Sequence, residues 1–178
     1  MKIIHEMSLV SFNMIKYETE REAKGRLHKI ILVHCNLEEE LIYFTRDEDF
    51  PADEVMSFLA ALTGGARVGN TIVNLTRIQA IYIDTQDYEK WEFKVKFPHY
   101  DNRFTLIDAK MPIDRKLKAL FEIMRLMPEA LRNESKESDV VIDMPDIVRR
   151  ARDMANEKRK AEETDDACDP RVIFNVSV

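Results

Sequence analysis

The stretch Trp91-Glu92-Phe93-Lys94-Val95-Lys96-Phe97 alternates apolar and charged side chains without a break. Because successive side chains of an extended strand point to opposite faces, the apolar residues share one face and the charged residues share the other. This pattern is typical of an antiparallel sheet with one buried face and one hydrated face. Residues 103–107 follow after a short loop, and we expect them to form a further strand.

Short apolar segments upstream of this stretch predict more antiparallel sheet. Residues 28–35 are rich in β-branched side chains and too short for a typical helix, and residues 40–45 are placed to pair with them as a hairpin. Residues 8–17 also alternate and are interpreted as a strand, with a helix as the alternative. The remaining predicted strands of this region are residues 71–74 and 79–84, joined by a bend.

Two segments have the period of an amphipathic helix. The first, residues 52–62, follows Pro51, begins with acidic residues and precedes Gly64, which favours the left-handed conformation that ends helices. The second covers about residues 112–127, and Pro128 is expected to end or kink it because proline lacks an amide donor. Its apolar stripe, expected to face the sheet, consists of Ile113, Leu117, Leu120, Phe121, Met124 and Met127.

The C-terminal part of the chain has a different composition. Residues 132–139 contain no apolar side chain and predict a linker. Residues 144–163 predict a third helix with a thin apolar stripe and an almost wholly charged second half, so we expect it to be partly exposed. The sequence therefore predicts an α+β core domain over residues 1–131 and a C-terminal arm over residues 140–178. In the core domain, a curved antiparallel sheet or small open β-barrel is expected to pack on the two amphipathic helices.

The composition is that of a folded protein. The chain has 178 residues, is 45% hydrophobic and 34% charged, and carries a formal net charge of −6. It contains no apolar run of about 18 residues and no signal-peptide pattern, so we expect neither a membrane partner nor secretion. Cys35 and Cys168 are too few for a disulfide framework, and we expect them to be free thiols in the cytoplasm.

The sequence contains none of the common catalytic or nucleotide-binding motifs, and its glycine cluster at 63–70 follows a helix instead of opening one. His34 and Cys35 are adjacent in a predicted strand, where neighbours point to opposite faces and do not easily form a nucleophilic pair. The histidines show no metal-ligand spacing. We therefore predict no catalytic residue, no cofactor and no metal ligand. An enzyme with a metal-assisted acidic site stays as a second alternative.

Acidic residues are concentrated between positions 38 and 54, where eight carboxylates stand against Arg46 alone, so the local charge is −8 + 1 = −7. One interpretation is a solvated loop that leads into a helix. The functional interpretation is a surface that attracts a basic protein partner. The acidic patch is defined by Glu38, Glu39, Glu40, Asp47, Glu48 and Asp49.

The third predicted helix carries six basic and five acidic residues, so its surplus is only +1. A helix that faces solvent or a protein partner is the first interpretation, and contact with nucleic-acid phosphates is the alternative. The turn that begins at Arg149 is the best candidate for a phosphate contact. The basic candidates of this helix are Arg149, Arg150, Arg152, Lys158, Arg159 and Lys160.

The last segment, residues 171–178, alternates again. Such a strand either completes the sheet of its own chain or adds to an edge strand of a partner or a second copy. Because an unpaired apolar strand promotes aggregation, we predict that it is paired. Its apolar face consists of Val172, Phe174, Val176 and Val178.

Together these patterns favour a non-enzymatic protein-interaction module, such as an adaptor, inhibitor or assembly factor. We expect it to act through its C-terminal arm and through oligomerisation, with another protein or a second copy of the chain as its partner. The alternative is a nucleic-acid-binding regulator that uses the basic turn of the helix at 144–163.

Overall fold

A computed structural model of the chain describes residues 4–8, 12–23, 25–85, 90–99, 102–132 and 139–166. A short 3-10 helix covers Leu75–Arg77. The α-helices are α1 (Ala52–Thr63), α2 (Ile113–Arg132) and α3 (Met144–Asp166). The strands are β1 (Ile4–Ser8), β2 (Phe12–Glu22), β3 (Gly25–His34), β4 (Glu39–Thr45), β5 (Ala66–Val68), β6 (Thr71–Val73), β7 (Ala80–Thr85), β8 (Trp91–Lys96), β9 (Phe104–Ile107) and β10 (Asp139–Asp143).

The strands of the described residues pair antiparallel throughout. The central sheet has five strands in the order β4-β3-β2-β6-β5, and a second sheet has the order β7-β8-β9. A two-stranded sheet joins β1 to β10. Within the described residues neither larger sheet closes on itself. The predicted α+β class with an antiparallel sheet is therefore confirmed, in the form of open sheets.

The central sheet separates two hydrophobic cores. Successive side chains of β2 alternate between them, so that Ile15 lies in the first core and Met14 in the second. The first core is completed by α1, β10 and the first half of α3. The second core is completed by β8, β9 and α2. Phe93, Val95 and Phe97 are buried in the second core, as the alternation of residues 91–97 predicts.

The first predicted helix is confirmed as α1. Gly64 follows it with φ of 65°, the left-handed conformation that a glycine adopts without strain. A Cβ atom on Gly65 would lie 2.5 Å from the Cγ2 of Ile72, so this position needs a glycine for close packing against β6. The glycine cluster therefore ends a helix and joins it closely to the central sheet.

The second predicted helix begins as expected but does not end at Pro128. α2 continues to Arg132 with Pro128 inside it. The proline removes one backbone hydrogen bond, the one to the carbonyl of Met124, and Met124 lies on the exposed side of the helix, where water can bind that carbonyl. Of the two outcomes predicted for Pro128, the end of the helix is therefore wrong, and the kink stays a prediction. Of the predicted linker, residues 133–138 lie outside the described residues.

The segment that we assigned to a C-terminal arm begins inside the first core. β10 pairs with β1, and Ile142 and Met144 are fully buried. The first turns of α3 bury Ile147, Val148 and Ala151 against α1 and the central sheet. Most of the remainder of α3, from residue 152 to residue 163, is exposed. The helix is thus partly exposed as predicted, but residues 140–151 belong to the core.

Candidate interaction surface

α2 turns a different face to the core than the one we predicted. Ala119 and Ile123 are buried in the second core, whereas three members of the predicted stripe are exposed. The prediction failed because apolar residues cover more than half of the circumference of α2, so the period alone does not select the buried side. The residues that are exposed instead of buried are Leu117, Phe121 and Met124.

Lys116 explains why the buried face of α2 is displaced. Its side chain is fully buried, and its Nζ donates hydrogen bonds to the carbonyl oxygens of Trp91 at 2.8 Å and Ala109 at 2.9 Å. The ammonium also lies 5.1 Å from the centre of the Trp91 ring, where a cation is attracted to the aromatic face. Lys116 therefore anchors the start of α2 to β8, and the apolar residue next to it faces outward.

The three exposed residues form a continuous stripe along α2, which we call the α2 stripe. Their exposed fractions are 54% for Leu117, 70% for Phe121 and 64% for Met124. Their spacing of four and three residues places them on one flank of the helix. Large apolar side chains grouped in this way on a folded surface are typical of a contact site for another protein.

A second exposed apolar group lies on β7, which pairs with β8. Ile81 is 43% exposed and Ile83 is 57% exposed. Ile81 is directly opposite Val95 and Ile83 is directly opposite Phe93, so both isoleucines share the face on which Val95 and Phe93 are buried. Because Phe93 and Val95 belong to the same core as Ala119 and Ile123 of α2, the exposed isoleucines lie on the side of the sheet that faces this core.

Sequence reasoning placed β7 in the sheet but gave Ile81 and Ile83 no role. The signal was present, because Ile81, Tyr82 and Ile83 are consecutive bulky residues that favour a strand. The sequence does not tell whether a strand is central or at an edge, and this decides whether its apolar side chains are covered.

The two long edge strands differ in how open they are to further pairing. β7 pairs with β8 in unbroken register from Ala80 to Thr85. β4, the edge of the central sheet, carries the exposed Leu41 and Phe44, but a bulge interrupts its register with β3. Bulges and charges protect an edge strand from pairing with another chain. Of these two edges, β7 is therefore the open one.

The predicted acidic patch is divided into two groups by the structure. Glu38, Glu39 and Glu40 lie at the start of β4, and Asp47, Glu48 and Asp49 follow its end. The strand between them is about 20 Å long. Lys16 binds Glu39 at 2.7 Å, and His34 contacts Glu40 through Nε2 at 2.8 Å. The carboxylates therefore do not form one acidic surface.

The basic residues of α3 are largely engaged by carboxylates of the same chain. Arg152 pairs with Asp47, and Lys158 Nζ lies 2.9 Å from Glu54 of α1. The hydrogen bond to Glu54 raises the pKa of Lys158.

The other basic residues of α3 contact neighbours on the same helix or on α1. Arg149 and Arg150 lie near Asp146, and Arg150 also stacks on Phe58. Arg159 donates to Asn156 at 2.6 Å, and Lys160 lies on the exposed end of the helix.

The ion pair of Arg152 with Asp47 links the basic turn of α3 to the acidic patch, which the sequence analysis treated as separate surfaces. Part of the acidic patch binds the basic turn of α3 within the molecule, so each reduces the charge that the other offers to a partner. The strand-addition candidates Val172, Phe174, Val176 and Val178 lie outside the described residues.

An aromatic cluster lies where the first core meets the loop before α1. Tyr17 Oη and His28 Nδ1 are 2.7 Å apart, and both rings pack against Phe50. Burial lowers the pKa of His28, to which the nearby Arg26 also contributes, and burial raises the pKa of Tyr17. Both shifts favour the neutral forms, as expected for a packed hydrogen-bonded pair.

Among the residues that the structure describes, no group of three or more histidine, cysteine or carboxylate side chains is arranged to hold a metal ion. Within the same residues, no helix combines the length and the apolar composition that crossing a bilayer requires. Comparison of the chain with protein-family models, with curated proteins and with solved structures found no match.

Proposed function

We propose that this chain is a protein-interaction module that binds a protein partner through the α2 stripe. The observation that carries this proposal is the exposure of Leu117, Phe121 and Met124 on a helix whose buried side is anchored by Lys116. The anchor fixes which flank of α2 faces outward, so the stripe is presented by a rigid element and not by a loop. Contact residues held in this way bind with little loss of conformational entropy.

Residue type also supports a protein partner. Phenylalanine and methionine are enriched at protein interfaces, where aromatic anchors supply much of the binding energy. The flank next to the stripe carries Lys118, Arg125 and Asp114, which resembles the polar rim that surrounds an apolar contact centre. The segment 171–178 stays a proposed second element of the same module, as a strand that pairs with the partner.

The experiment that tests this function is affinity capture from native extract with three forms of the full chain: wild type, Phe121→Glu and Phe44→Glu. Both variants replace an exposed phenylalanine by a carboxylate, one in the α2 stripe and one on β4. We expect wild type and Phe44→Glu to capture the same protein, and Phe121→Glu to capture about tenfold less or none. Treating the extract with nuclease should leave the result unchanged.

Capture of one set of proteins by all three forms would contradict the proposal, as would loss of the captured proteins on nuclease treatment. The second outcome would favour the nucleic-acid alternative. Leu117→Glu repeats the test one helical turn away and should behave as Phe121→Glu does. Circular dichroism of each variant shows whether the chain is still folded.

A further inference from the structure

We propose that β7 pairs with β7 of a second copy of this chain, antiparallel and about a twofold axis at Tyr82. This names the partner of the apolar surface, so it rests on the proposed function. The joined sheet would have six strands, in the order β9-β8-β7 followed by β7-β8-β9 of the second copy. Such pairing uses the backbone N–H and C=O groups along the outer edge of β7. Among the described residues, no other strand pairs with this edge.

The sequence of β7 is complementary to itself in this register. With Tyr82 opposite Tyr82 of the second copy, Ile81 lies directly opposite Ile83 on both sides of the axis. Bulky apolar side chains that face each other across antiparallel strands stabilise the pair. A twofold contact of this kind buries the same patch on both copies and closes, so the assembly stops at a dimer.

Four charged groups beside this edge contact groups of the same copy. Lys94 Nζ binds Asp84 at 2.9 Å and Glu92 at 2.6 Å, and Arg103 stacks 3.8 Å above the Tyr82 ring. These groups lie on the face opposite to Ile81 and Ile83 because they alternate with them along the strands. The apolar face of β7 therefore meets its copy without an unpaired charge among the isoleucines.

The twofold axis also leaves both copies of α2 on one side of the joined sheet, because α2 shares its core with the face that carries Ile81 and Ile83. The two isoleucines and the α2 stripe are 43–70% exposed. At roughly 150–200 Å² for a large apolar side chain, these five residues present about 430–580 Å². A standard interface buries about 800 Å² per partner, of which somewhat more than half is apolar. The two isoleucines supply about a third of the exposed apolar area, so the proposed dimer includes the α2 stripe of each copy in its interface.

Sedimentation equilibrium of the full chain over a concentration series tests the proposal. We expect a dimer for wild type and for Phe44→Lys, which places the same charge on the other edge strand. Ile83→Lys should weaken association about 100-fold or more, because two lysines would face the isoleucines of the copy. Ile83→Thr keeps a residue that favours strands and should weaken the association of the two copies less than Ile83→Lys does. A graded loss over the two variants separates weaker association from a folding defect in the lysine variant.

A disulfide test fixes the register. In a Cys35→Ser, Cys168→Ser background, Tyr82→Cys should form a covalent dimer on mild oxidation, because directly opposed residues of antiparallel strands lie within the range that a disulfide spans. Asp84→Cys should not, since two copies of residue 84 would lie about 13 Å apart along the strands. Cross-linking at residue 84 but not at residue 82 would overturn the register.

A wild-type chain that is monomeric at all concentrations would leave β7 to another occupant, the segment 171–178 or a different protein, and would overturn the proposal. A dimer that survives Ile83→Lys but not Phe121→Glu would overturn it as well, while the proposed role of the α2 stripe would stand. Failure of that role would instead appear in the capture experiment, as equal capture by Phe121→Glu and Phe44→Glu.

Discussion

The two sides of the central sheet are covered in different ways. On the first side, α1 and α3 pack on the sheet and are joined to each other by the ion pair of Lys158 with Glu54. On the second side, α2 and the sheet β7-β8-β9 bury a core of similar kind but leave the α2 stripe and two isoleucines exposed. The exposed large apolar residues of the first-side elements, Leu62, Val141 and Met154, are spread over α1, β10 and α3, whereas those of α2 form one stripe. This difference supports the proposal that the second side binds a partner.

The largest expected effect tests whether the first side is a complete core that includes β10. Ile142→Ala removes a fully buried side chain and should lower the free energy of unfolding by about 2–5 kcal/mol, from lost burial and the remaining cavity. Val141→Ala is the matched control, because Val141 is the exposed neighbour on the same strand. Urea unfolding measures both. Equal, small effects would mean that β10 is not part of the core.

A somewhat smaller effect tests the anchor of the second side. Lys116→Met keeps most of the buried volume but leaves the carbonyls of Trp91 and Ala109 without their donor, so we expect a loss of about 2 kcal/mol. Lys118→Met, on the exposed side of the same helix, should change the stability by less than about 0.5 kcal/mol. If both variants unfold at the wild-type urea concentration, Lys116 does not fix the orientation of α2.

The pH dependence of stability tests the aromatic cluster of the first side. Because burial lowers the pKa of His28 below its ordinary value, the unfolded chain takes up a proton more readily than the folded chain. Stability should therefore fall as pH decreases below about 6.5 and level off once the folded histidine is also protonated. His28→Gln should remove this loss, whereas His34→Gln should keep it. Thermal melts between pH 5 and pH 8 measure the difference, and a flat profile for wild type would contradict it.

The smallest expected effect concerns the ion pairs that join α3 to the acidic segments. Arg152 and Asp47 are both partly hydrated, so Arg152→Gln should lower the melting temperature by no more than about 2 °C. Added salt should reduce the difference between variant and wild type further. A larger loss that persists in high salt would show that this pair, and not the buried apolar residues, holds α3 in place.

The elements with strict alternation, or with clear signals for the start and end of a helix, could be predicted from sequence. Residues 91–97 have one apolar side and so one way to be buried, and the structure buries Phe93, Val95 and Phe97. Residues 52–62 form the predicted helix between Pro51 and Gly64. The hairpin of β3 and β4 followed in the same way from two short apolar runs and a polar connection.

The predictions that failed or were missed concern features that depend on residues distant in the sequence. α2 has apolar residues on more than half of its circumference, and the hydrogen bonds of Lys116 to two distant carbonyls select its buried side. β1 and β10 pair across more than 130 residues of chain, which no local pattern records. The acidic patch and the basic turn of α3 were each visible, but their pairing through Asp47 and Arg152 was not.

The central claim, that the second side of the molecule is an interface, is tested most directly by the accessibility of the α2 stripe. Met124→Cys and Phe44→Cys, each in a Cys35→Ser, Cys168→Ser background, place one thiol in the stripe and one on β4. Alkylation rates are compared between dilute purified protein and native extract. The account predicts that Met124→Cys reacts about tenfold more slowly in extract while Phe44→Cys is unchanged. Equal rates for Met124→Cys in both conditions would contradict it.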